Sequence, residues 1–373
     1  PIGNYLHMGR PSNAIAVDWE GKFAQVFLNP DQSDPSRKFL SMWKEFGKKG
    51  DPAGGDGNES VTGKSLAYSA DGIHWSRIGL FYKAEDGAQD INCLIYDPDS
   101  KDEEYRVKGY SQVTAKISSD KKRKVGLVHG RSLEKVADYP GKVIMDAVEG
   151  IDNEIHFSSV NKIGGKYFMI FESDRFSAEK TNGDLRLAVS EDGIGFRRVH
   201  PREALIPNGE KGTWDEGVLM SGNSGIIEVG DTWYIYYIGH TALTSSWPRQ
   251  YSRYGPRFRG MLYYPSWAGL ATLPKDSIGY ATAKNGGTAV LELAKIRLEG
   301  GEKVMINAEG PCEGLEIYLK GRDGAIRGVP SGRLAAGRYV RIYFERTPEA
   351  GRYKLEAVLN GDLKLYSCRI GQD

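Results

Sequence analysis

Acidic side chains gather at one recurring place in this chain. Asp90 stands just ahead of INCLIYDP, and Glu149, Asp152 and Glu154 lead into IHFSSV. Asp215 and Glu216 follow Trp214 in GTWDEG, a little ahead of SGIIEV. Hydrolysis of a glycosidic bond calls for such a set: one carboxylic acid protonates the leaving oxygen, and one carboxylate attacks or activates water. Glu154 is the expected general acid, because crowding with Asp152 and Glu149 would raise a carboxyl toward the useful range. Asp90 and Asp215 complete the candidate catalytic carboxylates. Asn13, Asn92, Asp152, His156, Trp214, Glu216 and His240 are the candidate substrate contacts around them. Each has a structural alternative: Asp90 as a turn cap, Glu154 as a solvent-facing charge at a strand edge, WDEG as the closure of a turn. His156 and His240 could equally be satisfied structural histidines.

The elements that would position these groups repeat. SADGIHW, from Ser69, returns as SEDGIGF from Ser190, each a tight turn in which Gly takes backbone angles closed to other residues and Asp bonds its own chain. Just before the first turn lies KSLAYS, and related strands follow in VGLVHG, LRLAVS and AGLATL, centred on Leu66, Leu127, Leu187 and Leu270. Upstream of each is an aromatic alternating strand: RKFLSMWKEF, EYRVKGYSQV, KYFMIFESDRF and TWYIYYIGHT. Upstream again is a first strand: NAIAVDW from Asn13, INCLIYDP, IHFSSV and SGIIEV. Four such units of short strands, with Gly, Asp and Pro in the turns and almost no helical periodicity, predict an all-β fold, a β-propeller over residues 1–274. LVHGRS is then the degenerate copy of the turn in the second unit. In a propeller the first strand of each blade lines the central channel, so the acidic positions would converge on one end of it. After PKDSIGYATAKNGG the strands shorten and the hairpins become rich in Gly, which predicts a second all-β unit over residues 275–373, a small antiparallel sandwich.

The bulk properties narrow the function further. The chain has 373 residues, enough for two domains, and 50 basic against 49 acidic residues leave a net charge of +1. That balance favours neither a nucleic-acid nor a membrane partner. No apolar run approaches the roughly 18 residues of a membrane helix. Cys93, Cys312 and Cys368 are too scattered for a disulfide framework or a zinc site. No metal or cofactor is expected; an acidic channel could accept Ca2+, but the ligand spacing specifies none. No phosphate-binding glycine loop follows a strand. Residues 241–268 carry Arg249, Arg253, Arg257 and Arg259 among Trp247, Tyr251, Tyr254, Phe258, Tyr263, Tyr264 and Trp267. Aromatic faces suit sugar rings and Arg forks suit carboxylate or sulfate, which makes Arg253 and Arg257 candidate contacts to an acidic saccharide. The same composition would equally serve a contact between copies of the chain in a homo-oligomer.

S-x-D-G-x-x-W turns, a first strand ending in IYDP, the segment GTWDEGVLMSGNSGIIEVGDTWYIYYIG and a trailing sandwich together resemble the five-bladed glycoside hydrolases related to families 32 and 43. GTWDEG, GLATL, VMINA and LYSCRI are similar to members with a shortened C-terminal sandwich. The resemblance implies a glycosidase acting on a poly- or oligosaccharide, with Asp90 in the place of the Asp that orients the acid or holds sugar hydroxyls. It also implies a further blade, carrying an essential carboxylate, ahead of the four visible here; a compact four-bladed ring is the alternative. A propeller that binds carbohydrate without cleaving it is the alternative, and a protein-interaction scaffold built on the Arg-aromatic loop is a third reading. A secreted or periplasmic setting is expected over a cytoplasmic one; the sequence opens on Pro1 and shows no signal peptide.

Overall fold

A computed structural model describes residues 6–7, 10–11, 22–46, 61–83, 89–113, 122–133, 142–176, 181–240 and 266–371. The chain divides into two compact units, one formed by Pro1–Ile227 with Ile235–Ala271, the other by Glu228–Tyr234 with Thr272–Asp373.

In the first unit a two-stranded pair, β1 (Leu6–His7) and β2 (Arg10–Pro11), precedes the blades. The first blade is the antiparallel meander β3 (Lys22–Leu28), β4 (Phe39–Phe46), β5 (Val61–Ser69) and β6 (Ser76–Lys83). The second is β7 (Gln89–Tyr96), β8 (Val107–Val113), β9 (Lys124–Gly130) and β10 (Lys142–Met145). The third is β11 (Glu154–Ile163), β12 (Lys166–Phe176), β13 (Thr181–Ser190) and β14 (Arg197–Arg198). The fourth, β15 (Val218–Val229), β16 (Thr232–His240) and β17 (Ser266–Pro274), joins the third through a parallel bridge between Gly183 and Val218. The first-strand expectation at Asn13–Trp19 needs correction: the strand that pairs with β4 is KFAQVFL, Lys22–Leu28, and Asn13 lies outside the described residues.

These strands are aromatic and nearly continuous in hydrophobicity because a blade is covered on both faces by its neighbours. Every residue of β8 is buried. One apolar cluster joins Met42 and Leu66 of the first blade to Ile91, Leu94, Val107 and Val128 of the second. Another joins Cys93, Tyr110 and Leu127 to Ile155, Tyr167 and Phe171 of the third.

The repeated turns share their hydrogen bonds as well as their sequence. Ser69 Oγ accepts from Gly72 N at 2.9 Å, and Asp71 Oδ1 accepts from Ile73 N and His74 N at 2.8 Å. Ser190 Oγ accepts from Gly193 N at 2.9 Å, and Asp192 Oδ1 accepts from Ile194 N at 2.7 Å and Gly195 N at 2.9 Å. Gly72 and Gly193 stand at φ of 76° and 75°, in the left-handed region. Both turns link the third strand of a blade to its fourth, and β9–β10 occupies the same corner of the second blade.

The inner strands are tied to one another in a round. Gln25 of β3 accepts from Leu94 N of β7 at 2.6 Å, and Cys93 Sγ of β7 accepts from Val160 N of β11 at 3.2 Å. Asn161 of β11 donates to the carbonyls of Ser224 and Ile226, both at 3.1 Å, and accepts from Ile226 N at 2.8 Å. Ser224 Oγ of β15 donates to the Val26 carbonyl of β3 at 3.4 Å, so at this height the fourth blade meets the first directly. Gly225 lies under Asn161, where a Cβ would sit 2.1 Å from its Oδ1.

In the second unit the strand order is β18 (Thr288–Leu298), β23 (Gly351–Asn360), β20 (Leu315–Gly321), β21 (Gly324–Pro330), β22 (Tyr339–Phe344), β19 (Lys303–Glu309) and β24 (Lys364–Gly371). The first half of β22 pairs with β19 and its second half with β21, which folds the sheet over into a sandwich. Val304, Ile306, Ile317, Leu319, Leu355 and Leu359 lie in its core.

Asn161→Ala removes three hydrogen bonds between blades and leaves the Ser224 and Ile226 groups without partners. It is expected to destabilise the protein by about 2–3 kcal/mol in denaturant unfolding, whereas Ser36→Ala, on an exposed turn, changes little.

Candidate active site

The start of each of the first three inner strands is irregular in the same way. The register slips between Phe23 and Gln25 in β3, between Ile91 and Cys93 in β7, and between Ile155 and Ser158 in β11. A bulge of this kind adds a residue to one strand and re-aims its side chain. In β7 the extra residue is Asn92, which is 1% exposed and has no hydrogen-bond partner on either amide atom. In β11 the slip places His156 and Phe157 opposite Glu172 of β12.

That bulge sets up the most unusual chemistry of the described residues. Glu172 and Asp174, two apart on β12, point the same way, and both are 0% exposed. None of their four carboxylate oxygens receives a hydrogen bond of good geometry, although the Phe157 backbone N–H lies toward Glu172. His156 Nδ1 lies 3.5 Å from Glu172 Oε2. Asp174 reaches over Gly183 of β13, where a Cβ would stand 2.3 Å from its Oδ1, so only a glycine leaves room for the carboxyl. Burial pushes Glu172 up to about 8, partly offset by the neighbouring Asp174 and by the Arg123 charge. Burial and then the Glu172 charge raise Asp174 well above the usual carboxylate range. The two carboxyls lie within 4.8 Å of each other, and burial of such a pair favours the protonated form.

Glu154 flanks this pair. Its Oε1 accepts from Arg123 Nη1 at 2.7 Å and its Oε2 from Arg123 N at 3.4 Å. The environment expected for Glu154 needs correction. Asp152 turns away to accept from Ser173 Oγ at 2.9 Å, Val148 N at 2.6 Å and Arg198 Nη1 at 2.5 Å, and Glu149 is exposed. With protein donors on both its oxygens and a fully buried side chain, Asp152 serves the packing of β12 and β14 and offers nothing to a substrate. Asp90 pairs with Gln112 through the backbone; its side chain lies outside the described residues.

A second group lies at the entry to the fourth blade. Trp214 stacks on Tyr237 at 5.7 Å and meets the edge of Trp267 at 6.4 Å, and Trp267 is 44% exposed. Gly239 and Gly269 permit this packing, since a Cβ at the first would meet the Trp214 ring at 2.4 Å and at the second the Tyr237 ring at 2.3 Å. Asp215 accepts from Thr213 Oγ1 at 3.0 Å and from Tyr237 Oη at 3.2 Å, and Glu216 accepts from Gly212 N at 2.5 Å. WDEG thus does close a turn, and it presents an aromatic platform beside that turn. His240 is buried, its Nε2 lies 3.2 Å from Met220 Sδ, and burial pulls it below the usual histidine range. The platform and the carboxyl pair are neighbours through the backbone: Gly183 N donates to the Gly217 carbonyl at 3.1 Å, directly after Glu216. Arg253 and Arg257 lie outside the described residues.

Sequence reasoning missed Glu172 and Asp174. The available signal was ESD at the end of the apolar run YFMIF, on a strand where alternate carboxylates have no face on which to meet water. His156, Glu172 and Asp174, with donor atoms mutually within 4.8 Å, are also the one group among the described residues close enough to share a cation.

Because Glu172 is raised from 4.5 to about 8 on folding, the stability it permits is full below its unfolded value and is lost as pH rises through about 8. The melting temperature is expected to fall between pH 5 and 9, and Glu172→Gln to flatten that fall; parallel profiles would place the proton elsewhere. A cation in place of the proton would instead make the melting temperature drop on treatment with EDTA.

No protein-family model matches the chain, nor does any curated protein sequence. Among solved structures, the chain is similar to one described as a glycoside hydrolase, with 13% identity, TM-score 0.42 and 90% of each protein covered. It is similar to the Bombyx mori GH32 β-fructofuranosidase BmSUC1, with 10% identity and TM-score 0.41 over 87% of this chain and 89% of that one. A complex of BT0996 and RGII is similar at 13% identity and TM-score 0.40, over 88% of this chain and 87% of that one.

Proposed function

We propose that the propeller unit is a glycoside hydrolase acting on a poly- or oligosaccharide. The observation that carries this reading is the fully buried, adjacent pair Glu172–Asp174 beside a third carboxylate, Glu154, that faces a guanidinium. Hydrolysis of an acetal needs carboxyl groups in two protonation states at one place, and different surroundings are how a protein holds them apart.

The burial of the pair supports the following division of roles. Glu172 and Asp174 are shut off from solvent, so they act as a proton store and do not touch the sugar. His156, whose side chain is 10% exposed and lies against Glu172, passes a proton from the store to the leaving oxygen. Glu154, 7% exposed, is the carboxylate that takes a proton from the attacking water, with Arg123 balancing its charge. Proton return from Glu154 to the store restores the starting state. Trp214, Tyr237 and Trp267 supply the flat apolar surface that sugar rings favour.

Product chromatography after incubation with neutral fructans and arabinans, and with uronic or sulfated oligosaccharides, tests the reading. Glu154→Gln and His156→Ala are expected to lower kcat by about 10²–10⁴-fold, and Glu172→Gln to remove the loss of activity that accompanies rising pH near 8 in the parent. Cleavage that survives all three substitutions would overturn the assignment. The exposed Trp267 platform supports one second reading, a propeller that binds carbohydrate without cleaving it; a saccharide-dependent rise in melting temperature with no products would favour that.

A further inference from the structure

The sandwich unit carries a feature that the carboxyl chemistry leaves unused. Between the β20–β21 turn and the segment joining β22 to β23 lies a hollow of about 730 Å³. Arg322, Arg346 and Arg352 line it, and none of the three has an acidic partner within ion-pair distance among the described residues, although Asp323 and Glu349 also border the space. A second hollow of about 510 Å³ adjoins it and adds Lys295, Arg297 and Lys354. The two share Arg352 and Tyr353. Tyr353 is fixed in place: its hydroxyl donates to the Glu349 carbonyl at 3.0 Å, and its ring lies where a Cβ on Gly321 would approach to 2.9 Å.

The strand register makes this concentration of charge costly. Arg297 stands directly opposite Arg352 across β18 and β23, and Lys295 stands opposite Lys354. Like charges facing one another across antiparallel strands are destabilising. The lysine rung is relieved by Glu292 and Glu356, which accept from Lys354 at 2.8 Å and 3.0 Å. The arginine rung has Glu299 on Arg297 alone, and Arg352 is left to the hollows.

We infer that the sandwich binds an anionic stretch of a saccharide chain, carboxylated or sulfated, across these two hollows. Guanidinium forks match the planar oxygens of carboxylate and sulfate, and the Tyr353 ring offers an apolar surface between the charged positions. The saccharide class rests on the hydrolase reading; the anionic class rests on the arginines alone. A nucleic acid is the less suitable occupant, because the chain as a whole is near neutrality and lacks the surrounding basic field that a phosphate backbone exploits.

Titration calorimetry on the full chain tests this, at low and at moderate salt. The probes are an oligogalacturonate, a sulfated oligosaccharide, a neutral arabinan oligosaccharide and a single-stranded oligonucleotide of matched charge. One or both acidic saccharides are expected to bind, more weakly as salt rises, and the neutral one to bind at least tenfold less. The double substitution Arg346→Ala with Arg352→Ala should weaken the acidic saccharide at least tenfold. The matching pair of lysine substitutions, which keep charge but lose the fork, should fall between, and Ser36→Ala should bind as the parent does. Unchanged binding by the alanine pair, or oligonucleotide binding as tight as that of the acidic saccharides, would overturn the inference. Binding lost in the alanine pair with no cleavage of any glycan would sink the hydrolase reading and leave this one standing; cleavage without such binding would do the reverse.

Discussion

The propeller depends on polar contacts made where neighbouring blades meet face to face. Apolar packing between blades is strong but has no register, and a sheet could slide over its neighbour with little loss. Buried hydrogen bonds remove that freedom, because any slip leaves a polar group without a partner. The clearest case is Asp97, the acid of IYDP, which accepts from Lys162 of the third blade at 2.7 Å and from the Tyr167 hydroxyl. Lys108, fully buried, donates to the same hydroxyl at 3.0 Å and to the Tyr105 carbonyl at 2.6 Å. Burial alone would raise Asp97, yet the hydrogen bonds from Lys162 and Tyr167 hold it below the usual range. It therefore stays ionised as a rivet between the second and third blades.

The same region shows the opposite treatment of buried carboxyls. Asp97 and Asp152 are each surrounded by donors, and they hold the frame. Glu172 and Asp174 are fully buried with no well-formed hydrogen bond on any carboxylate oxygen. Such an arrangement costs stability in the ionised form, and an arrangement kept at that cost points to chemistry more than to packing. The bulge in β11 is what makes it possible, because it turns His156 toward β12 at the point where the ladder would otherwise close.

The two units differ in how they handle charge. In the propeller, charged groups are drawn inside and paired across blades or kept protonated. In the sandwich the core cluster is apolar, with Asn307 and Glu356 as its buried polar exceptions, and most charge stands in rungs along the strands. A sheet with one solvated face can carry such rungs, whereas a blade packed on both faces cannot.

The sequence by itself determined the repeat. Its aromatic strands, the SxDG corners at Ser69 and Ser190 and the change of texture near residue 275 follow from local rules: period-two alternation, turn chemistry and glycine placement. It also placed candidate residues at the starts of the inner strands, among them Asn92, Glu154 and His156. What it could not supply was which carboxylates share an environment. Asp152 and Glu154 are near neighbours in the chain, yet one faces Arg198 and the other Arg123, because consecutive parts of the β11 entry turn to different sides. Glu172 and Asp174 read as ordinary strand residues until β11 and β13 close over them. Burial of the pair is a property of three strands and a neighbouring blade together, and no single strand encodes it.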